Sequence, residues 1–153
     1  ELETISLALA RFQGVKRRME ILASCEDYVI YDDFAHHPTE ILKTLSSLRE
    51  KIGNDQIIAL IEPRSRTMQS GLHDKEMAKA LSPADSVIWY EGQDVKRSMS
   101  AELKKAKAEV YFAANISEII QITRQIKTTK SNIVIMSNGD FSGLRELIKK
   151  ELD

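Results

Sequence analysis

Five short apolar runs alternate with stretches of helical periodicity, and this alternation limits the fold more than any other feature of the chain. The run Ile57–Ile61 is apolar at every position, which is typical of a strand in a parallel sheet covered on both faces. The other runs are Tyr28–Tyr31, Ser86–Tyr90, Val110–Ala113 and Asn132–Met136. A further alternating run, Met19–Ala23, precedes them, and Glu26–Asp27 predicts a hairpin turn between it and the next strand.

The helical stretches lie between these runs, as parallel strands require. From Pro38 to Ile52 apolar residues recur every three or four positions, and Gly53 supplies a C-terminal stop. Asn115, with Glu118 three residues later, predicts the start of another helix. Further helices are predicted near 74–80, near 100–107 and after 140. The pattern predicts an α/β, Rossmann-like three-layer sandwich, with a mostly parallel sheet of about six strands and one antiparallel strand near the N-terminus.

Length and composition fit a single domain over residues 1–153, since 42% of residues are hydrophobic and 29% are charged. The formal net charge of −1 excludes a sequence-wide field that would attract nucleic acid or an anionic membrane, so any anion site must be local. No apolar run approaches the ~20 residues of a membrane span. The single cysteine, Cys25, excludes an internal disulfide, fits a reducing cytoplasm and is expected to be a small buried hydrophobe.

The stretch Tyr31–Glu40 is the most informative for chemistry, because two carboxylates and two imidazoles crowd a junction between a strand and a helix. In open α/β sheets, ligands bind outside the carboxyl ends of the strands, where helix N-termini attract anions. Asp33, His36 and His37 are therefore expected to face a ligand, with Asp33 accepting hydrogen bonds from ribose hydroxyls. In the alternative interpretation, Asp32 and Asp33 only cap a turn or the helix.

The histidines of this stretch do not predict a metal site. His36 and His37 lack the H-x-x-x-H spacing and a nearby cysteine, and the only other histidine, His73, is far along the chain. Contact with a phosphate or a base is therefore favoured over zinc.

Two basic stretches are candidate anion receptors. In Gly14–Arg18, three cations follow a glycine and could clamp a polyphosphate, although composition alone favours a solvated strand edge. In Glu62–Thr67, two arginines flank a serine at the end of a strand, which predicts a bidentate receptor for a carboxylate or a phosphate. Ser137–Asp140 could add backbone N–H groups to the same rim, or could be only an Asn-Gly turn.

Two nucleotide-binding signatures are missing from the sequence. It contains neither a G-x-x-x-x-G-K-[ST] phosphate loop nor a G-x-G-x-x-G fingerprint after the first strand. A nucleoside triphosphate could therefore not be held by this chain alone. Because the chain begins without methionine inside a helical stretch at Glu1–Ile5, we expect a fragment of a longer protein.

The stretch Gly14–Glu20, followed by Asp32–Glu40, closely resembles the C-terminal domain of the Mur ligases of peptidoglycan synthesis. Together with Glu62–Met68, it resembles the branch that joins a murein tripeptide to UDP-N-acetylmuramate during peptidoglycan recycling. The branch that adds L-alanine carries Tyr-Gly in place of Phe34–Ala35 and lacks the Glu62–Ser65 loop. The resemblance implies a three-domain enzyme, in which an N-terminal UDP-sugar domain and a central ATPase domain precede this C-terminal domain.

The resemblance also implies a reaction and a role for each site residue. ATP phosphorylates the muramyl carboxylate, and the amine of the tripeptide attacks the acyl phosphate, while Mg²⁺ neutralises the phosphates. The residues implied to contact ATP are Arg18, Asp33 and His36. The residues implied to bind the peptide are Arg64, Ser65, Arg66, Ser137, Asn138 and Gly139. ATP and Mg²⁺ would be held mainly by the central domain, no catalytic residue is assigned here, and the chain alone is expected to be inactive.

Two other classes of function remain open at this point. A free-standing Rossmann-like module could bind an anion or a nucleotide without catalysis, but it should then supply its own glycine-rich phosphate cradle. A stand-alone hydrolase or transferase could use His36 or His37 as a base, but it would need a nucleophile or a metal partner that the sequence does not offer.

Overall fold

The structure is a computed structural model that describes residues 4–7, 15–64, 73–92 and 100–152. The strands are β1 (Glu20–Ser24), β2 (Tyr28–Asp33), β3 (Ile57–Ile61), β4 (Ser86–Tyr90), β5 (Glu109–Ala113) and β6 (Ser131–Met136). The helices are α1 (Pro38–Ile52), α2 (Asp74–Ala80), α3 (Ser100–Leu103), α4 (Ile116–Ile126) and α5 (Leu144–Glu151), with a 3₁₀ turn at Phe141–Gly143. Residues 4–7 are also helical.

The six strands form one sheet in the order β1-β2-β6-β3-β4-β5. Strand β1 is antiparallel to β2, and every other neighbouring pair is parallel. Strands β2 and β3 are not neighbours in the sheet. Strand β6, which follows the edge strand β5 in the sequence, lies between them. The predicted fold is therefore confirmed, including the antiparallel strand near the N-terminus.

Two separate hydrophobic cores cover the faces of the sheet. In β3, Ile57, Ala59 and Ile61 belong to the core under α1, α2 and α3. The alternate residues Ile58 and Leu60 belong to the core under α4 and α5. Because successive side chains of a strand point to opposite faces, a run that is apolar at every position builds both cores at once.

The helix starts are the predicted ones. Helix α1 begins with Pro38 in its first turn, where a missing N–H costs nothing. At α4, Asn115 Oδ1 accepts a hydrogen bond from Glu118 N at 3.0 Å, and Glu118 Oε2 accepts one from Ala114 N at 2.8 Å. No helix within the described ranges is long and apolar enough to cross a membrane.

Two details of the sequence interpretation were wrong. Helix α3 ends at Leu103 instead of near residue 107, because Lys105 N and Ala106 N bond carbonyls three residues back and close the turn. Cys25 is exposed instead of buried, because it lies in the turn between β1 and β2.

Burial of Tyr31 predicts a loss of stability at alkaline pH. Desolvation raises the pKa of Tyr31 above its usual 10.0, so its phenol stays protonated in the fold at a pH where the unfolded chain ionises it. The unfolded state then binds fewer protons, so this contribution is present below pH 10 and is lost as the pH rises above it. We expect urea titrations between pH 9 and 11 to show a steeper loss of unfolding free energy in the parent than in Tyr31→Phe.

The difference in unfolding free energy between the parent and Tyr31→Phe at pH 7 is the reference for this experiment. That difference reports the weak hydrogen bond from the Tyr31 hydroxyl to Asn132 Oδ1, at 3.4 Å, and is removed by subtraction. Parallel curves for the two proteins above pH 9 would contradict the prediction.

Candidate functional site

Three loops meet where the central strands end. Asp33, the last residue of β2, is paired in register with Met136 of β6, and Ile61 of β3 is paired with the same residue. The segments 34–37, 62–64 and 137–140 therefore leave the sheet side by side. Glu20 at the start of β1 is paired with Asp32, so the turn before β1 joins the same edge.

Asp32 lies at the centre of a buried charge cluster. Asp32 is 2% exposed, and its carboxylate lies 3.3 Å from Arg17 Nε and 2.8 Å from Arg145 Nε. The contacts are ion pairs without hydrogen-bond alignment. Both arginines also donate to backbone oxygens of the 137–140 loop: Arg17 to those of Ser137 and Gly139, and Arg145 to that of Gly139. The cluster therefore fastens this loop to the turn before β1.

Asp33 is also buried, and both of its oxygens serve the chain itself. Oδ2 accepts a hydrogen bond from Met19 N at 2.9 Å, and Oδ1 accepts from Ala35 N at 2.9 Å and Thr44 Oγ1 at 3.4 Å. Met19 has a positive φ of 52°, so the carboxylate stabilises a left-handed turn that a side chain disfavours. This geometry agrees with the turn-capping interpretation, and contact of Asp33 with a nucleotide stays a prediction.

Arg18 and His36 both lie next to the ring of Phe34. The exposed Arg18 guanidinium is 5.8 Å from the ring centroid of Phe34, within the range of a cation–π contact. The His36 ring stands edge-on to the same ring, with centroids 5.5 Å apart, and His36 Nδ1 is 3.0 Å from the carbonyl oxygen of Phe34. Both predicted residues therefore contact Phe34, which the sequence analysis did not assign to the site.

Ser137 joins the β6 loop to the β3 loop. Its hydroxyl donates a hydrogen bond to Glu62 Oε2 and accepts one from Gly139 N at 2.9 Å. Ser137 is fully buried, so its role in the structure is to hold the two loops together. The Oδ1 atom of Asn138 is buried and has no hydrogen-bond partner within the described part of the chain, which leaves an acceptor at this edge.

Arg64 lies against the bare backbone of Gly139. A Cβ atom at position 139 would come within 2.1 Å of Arg64 Nη1 and 2.9 Å of its Cδ, so only glycine leaves room for the guanidinium in this position. The structure thus brings together predicted peptide-binding residues from two loops. Ser65 and Arg66, which were predicted to bind the same peptide, lie outside the described residues.

His37 and His73 are in contact, which corrects the inference from their distance in the sequence. His37 caps α1, since its Nδ1 accepts a hydrogen bond from Thr39 N at 3.5 Å. Its Nε2 lies 3.2 Å from Nε2 of His73, the residue that precedes α2. The packing of α1 beside α2 on one face of the sheet brings the two rings together.

The chain is similar to known proteins over most of its length. The profile of a family described as "Mur ligase, glutamate ligase domain" matches residues 17–139. A tripeptide ligase of Haemophilus influenzae, named UDP-N-acetylmuramate–L-alanyl-γ-D-glutamyl-meso-2,6-diaminoheptandioate ligase, is 34% identical over 99% of this chain and 34% of its own length. A UDP-N-acetylmuramate–L-alanine ligase of Streptococcus agalactiae is 45% identical over 87% of this chain and 30% of its own length.

A solved structure has the same fold. The murein peptide ligase of Psychrobacter arcticus superimposes with a TM-score of 0.82 at 34% identity, covering 97% of this chain and 32% of that one. The chain thus spans about a third of the length of the proteins it matches.

Proposed function

Because the chain belongs to the Mur ligase family, as its glutamate ligase domain, we propose that it is the C-terminal domain of a three-domain, ATP-dependent ligase of the bacterial cytoplasm. This ligase joins L-alanyl-γ-D-glutamyl-meso-diaminopimelate to UDP-N-acetylmuramate in peptidoglycan recycling. The names of the Haemophilus and Psychrobacter proteins support this substrate. The domain packs on an N-terminal UDP-sugar domain and a central ATPase domain.

The proposed reaction proceeds through an acyl phosphate. The muramyl carboxylate attacks the γ-phosphorus of ATP and releases ADP; the free alanyl amine then attacks the acyl carbon, forming the amide and releasing phosphate. No general base is assigned to this domain. Its contribution is to hold the tripeptide with the amine aimed at the acyl carbon, which lowers the barrier by orientation.

The peptide receptor is proposed at the junction of the loops after β3 and β6. The observation that carries the proposal is the seat of the Arg64 guanidinium against Gly139. The tripeptide carries several carboxylates, and a guanidinium binds a carboxylate in a bidentate, charge-assisted geometry. The buried Asn138 Oδ1 supplies an acceptor in the loop after β6, while the Ser137 hydroxyl joins that loop to the loop after β3. Ser65 and Arg66 complete the proposed receptor.

The nucleotide contacts are proposed at the neighbouring loops. Arg18 is exposed beside Phe34 and has the charge that polyphosphate requires, and His36 contacts the same ring. Asp33 is assigned to the same contact, and it also holds the turn that carries Arg18. Mg²⁺ is proposed to be held mainly by the central domain, together with the phosphates of ATP, as the family resemblance implies.

The ligase that adds L-alanine is the second candidate function. The 45% identity with the Streptococcus agalactiae protein favours it, over a shorter part of the chain. Phe34–Ala35 and the Glu62–Pro63–Arg64 loop favour the tripeptide ligase, because both resemble the sequence of that branch of the family. The two candidates differ in the size and charge of the incoming amine, so a binding experiment separates them.

Isothermal titration of the chain with the tripeptide, with L-alanine and with Mg-ATP tests the proposal. We expect saturable binding of the tripeptide and no comparable binding of L-alanine. In Arg64→Ala, binding should weaken about 10- to 100-fold, because a hydrogen bond to a charged group contributes about 1.5–3 kcal/mol.

Arg124→Ala is the matched control, since this arginine lies at the far surface and bonds Glu151. It should bind the tripeptide like the parent. Tighter binding of L-alanine than of the tripeptide would favour the second candidate. Binding of ATP alone would favour a free-standing nucleotide module, and silence toward all three ligands would contradict a preformed receptor.

A further inference from the structure

The imidazole rings of His37 and His73 are in direct contact through their Nε2 atoms. Their Nε2 atoms are 3.2 Å apart, their ring centroids are 4.4 Å apart and their planes are inclined by 69°. A straight N–H···N hydrogen bond would set the rings head to head, with the centroids much farther apart than the nitrogens. The two rings instead meet edge to face, so a hydrogen bond between the two nitrogens is bent and both Nε2 atoms lie at the contact.

We propose that the imidazoles of His37 and His73 are ligands of a divalent transition metal ion, and that this ion is Zn²⁺. Zinc binds imidazole nitrogens at about 2.0–2.1 Å with tetrahedral angles, so two such nitrogens lie about 3.3–3.4 Å apart. The observed separation of 3.2 Å is close to this value, so the two rings would have to turn toward the ion but not move apart. This inference does not depend on the ligase proposal, because it uses neither ATP nor peptide contacts.

The groups behind the two rings suit this assignment. Glu76 Oε2 lies 3.3 Å from Nδ1 of His73, so the carboxylate keeps a proton on Nδ1 and the lone pair on Nε2. A carboxylate behind a metal-binding imidazole is the usual outer shell of a zinc site. His37 must move its proton from Nε2 to Nδ1 and give up the bond from Thr39 N. At 3.5 Å that bond is at the outer limit for a hydrogen bond, so its loss costs little.

The site is open. His73 keeps 20% of its side chain exposed, so an ion can reach the pair from solvent. Within the described ranges no third histidine, cysteine or acidic side chain joins the two. Water would fill the remaining positions of a tetrahedral ion, as in zinc sites that keep exchangeable ligands. The bound ion would connect the N-terminal ends of α1 and α2 and stabilise their packing.

Zinc binding to the untagged chain tests the proposal. The measurement uses a Cys25→Ser background, because the exposed thiol would compete for zinc. After removal of metal with a chelator, calorimetric titration with Zn²⁺ should show one ion per chain. The unfolding midpoint should rise with the zinc concentration. Long-range ¹⁵N–¹H spectra should show His37 changing from the Nε2–H to the Nδ1–H tautomer.

Three variants locate the site. His73→Gln should weaken zinc binding at least about tenfold, and His73 makes no capping hydrogen bond whose loss would disturb α2. Glu76→Gln should weaken it about tenfold through the outer shell. His36→Gln, the matched control, should bind like the parent. Absence of saturable binding, equal binding in His73→Gln, or an unchanged His37 tautomer in the presence of zinc would overturn the proposal.

Discussion

Asp32→Asn is expected to lower the free energy of unfolding by about 3 kcal/mol, which is the lower end of the range for removing one partner of a buried ion pair. Asp32 is 2% exposed between Arg17 and Arg145. In the variant, the amide NH₂ of the new side chain must face one of the two guanidinium groups, and neither positive charge is neutralised. The lower end applies because both arginines are partly exposed and keep bonds to backbone carbonyls.

Urea titration at pH 7 measures this effect, and Glu146→Gln is the control. Glu146 forms an ion pair with Lys149, at 2.9 Å, but its side chain is 73% exposed. An exposed pair contributes little, so this variant should change the unfolding free energy by less than about 0.5 kcal/mol. Similar losses in Asp32→Asn and Glu146→Gln would show that the cluster at Asp32 does not hold the fold as described.

Gly139→Ala is expected to weaken tripeptide binding about tenfold or more while leaving the fold intact. The backbone of Gly139 does not have a positive φ, so alanine is not excluded by its conformation. The added Cβ would lie 2.1 Å from Arg64 Nη1, and the flexible guanidinium must leave its seat. The cost therefore falls on the position of the receptor cation, where about 1.4 kcal/mol corresponds to tenfold in affinity. Calorimetric titration with the tripeptide measures the loss.

A double-mutant cycle shows whether the effect acts through Arg64. If Gly139→Ala acts only by displacing the guanidinium, the double variant Gly139→Ala/Arg64→Ala should bind the tripeptide like Arg64→Ala alone. Additive losses would mean that alanine at position 139 blocks the peptide directly. Unchanged binding in Gly139→Ala would contradict the proposed place of Arg64 in the receptor.

The secondary structure follows from local pattern. The run Ile57–Ile61 is apolar at every position and becomes a central strand, while the Asn115 and Glu118 pair starts α4 where predicted. These features depend on residues within one turn or one strand, so the sequence displays them directly. The end of α3 was misplaced, because competing turn bonds after Leu103 decide where a short, weakly packed helix stops.

The sequence predicted in part which loops lie together at the candidate site. The carboxyl ends of parallel strands share an edge, so the sequence could place the loop with Arg64 near the loop with Gly139. It could not show that the two residues touch, because this depends on β6 entering between β2 and β3. Asp33 was assigned to a ligand, but its oxygens accept hydrogen bonds from the turn at Met19. No local signal distinguishes these two uses of a carboxylate.

The sequence by itself therefore determined the α/β fold class, the family motifs and the succession of strands and helices along the chain. Each of these depends on residues that are neighbours in the sequence. Only the tertiary structure decided which distant charges and rings meet. Arg17 and Ser137 are 120 residues apart in the sequence and are bonded in the fold. His37 meets His73 in the same way, across a helix and a strand. Such contacts depend on strand order and helix packing, which are properties of the whole chain.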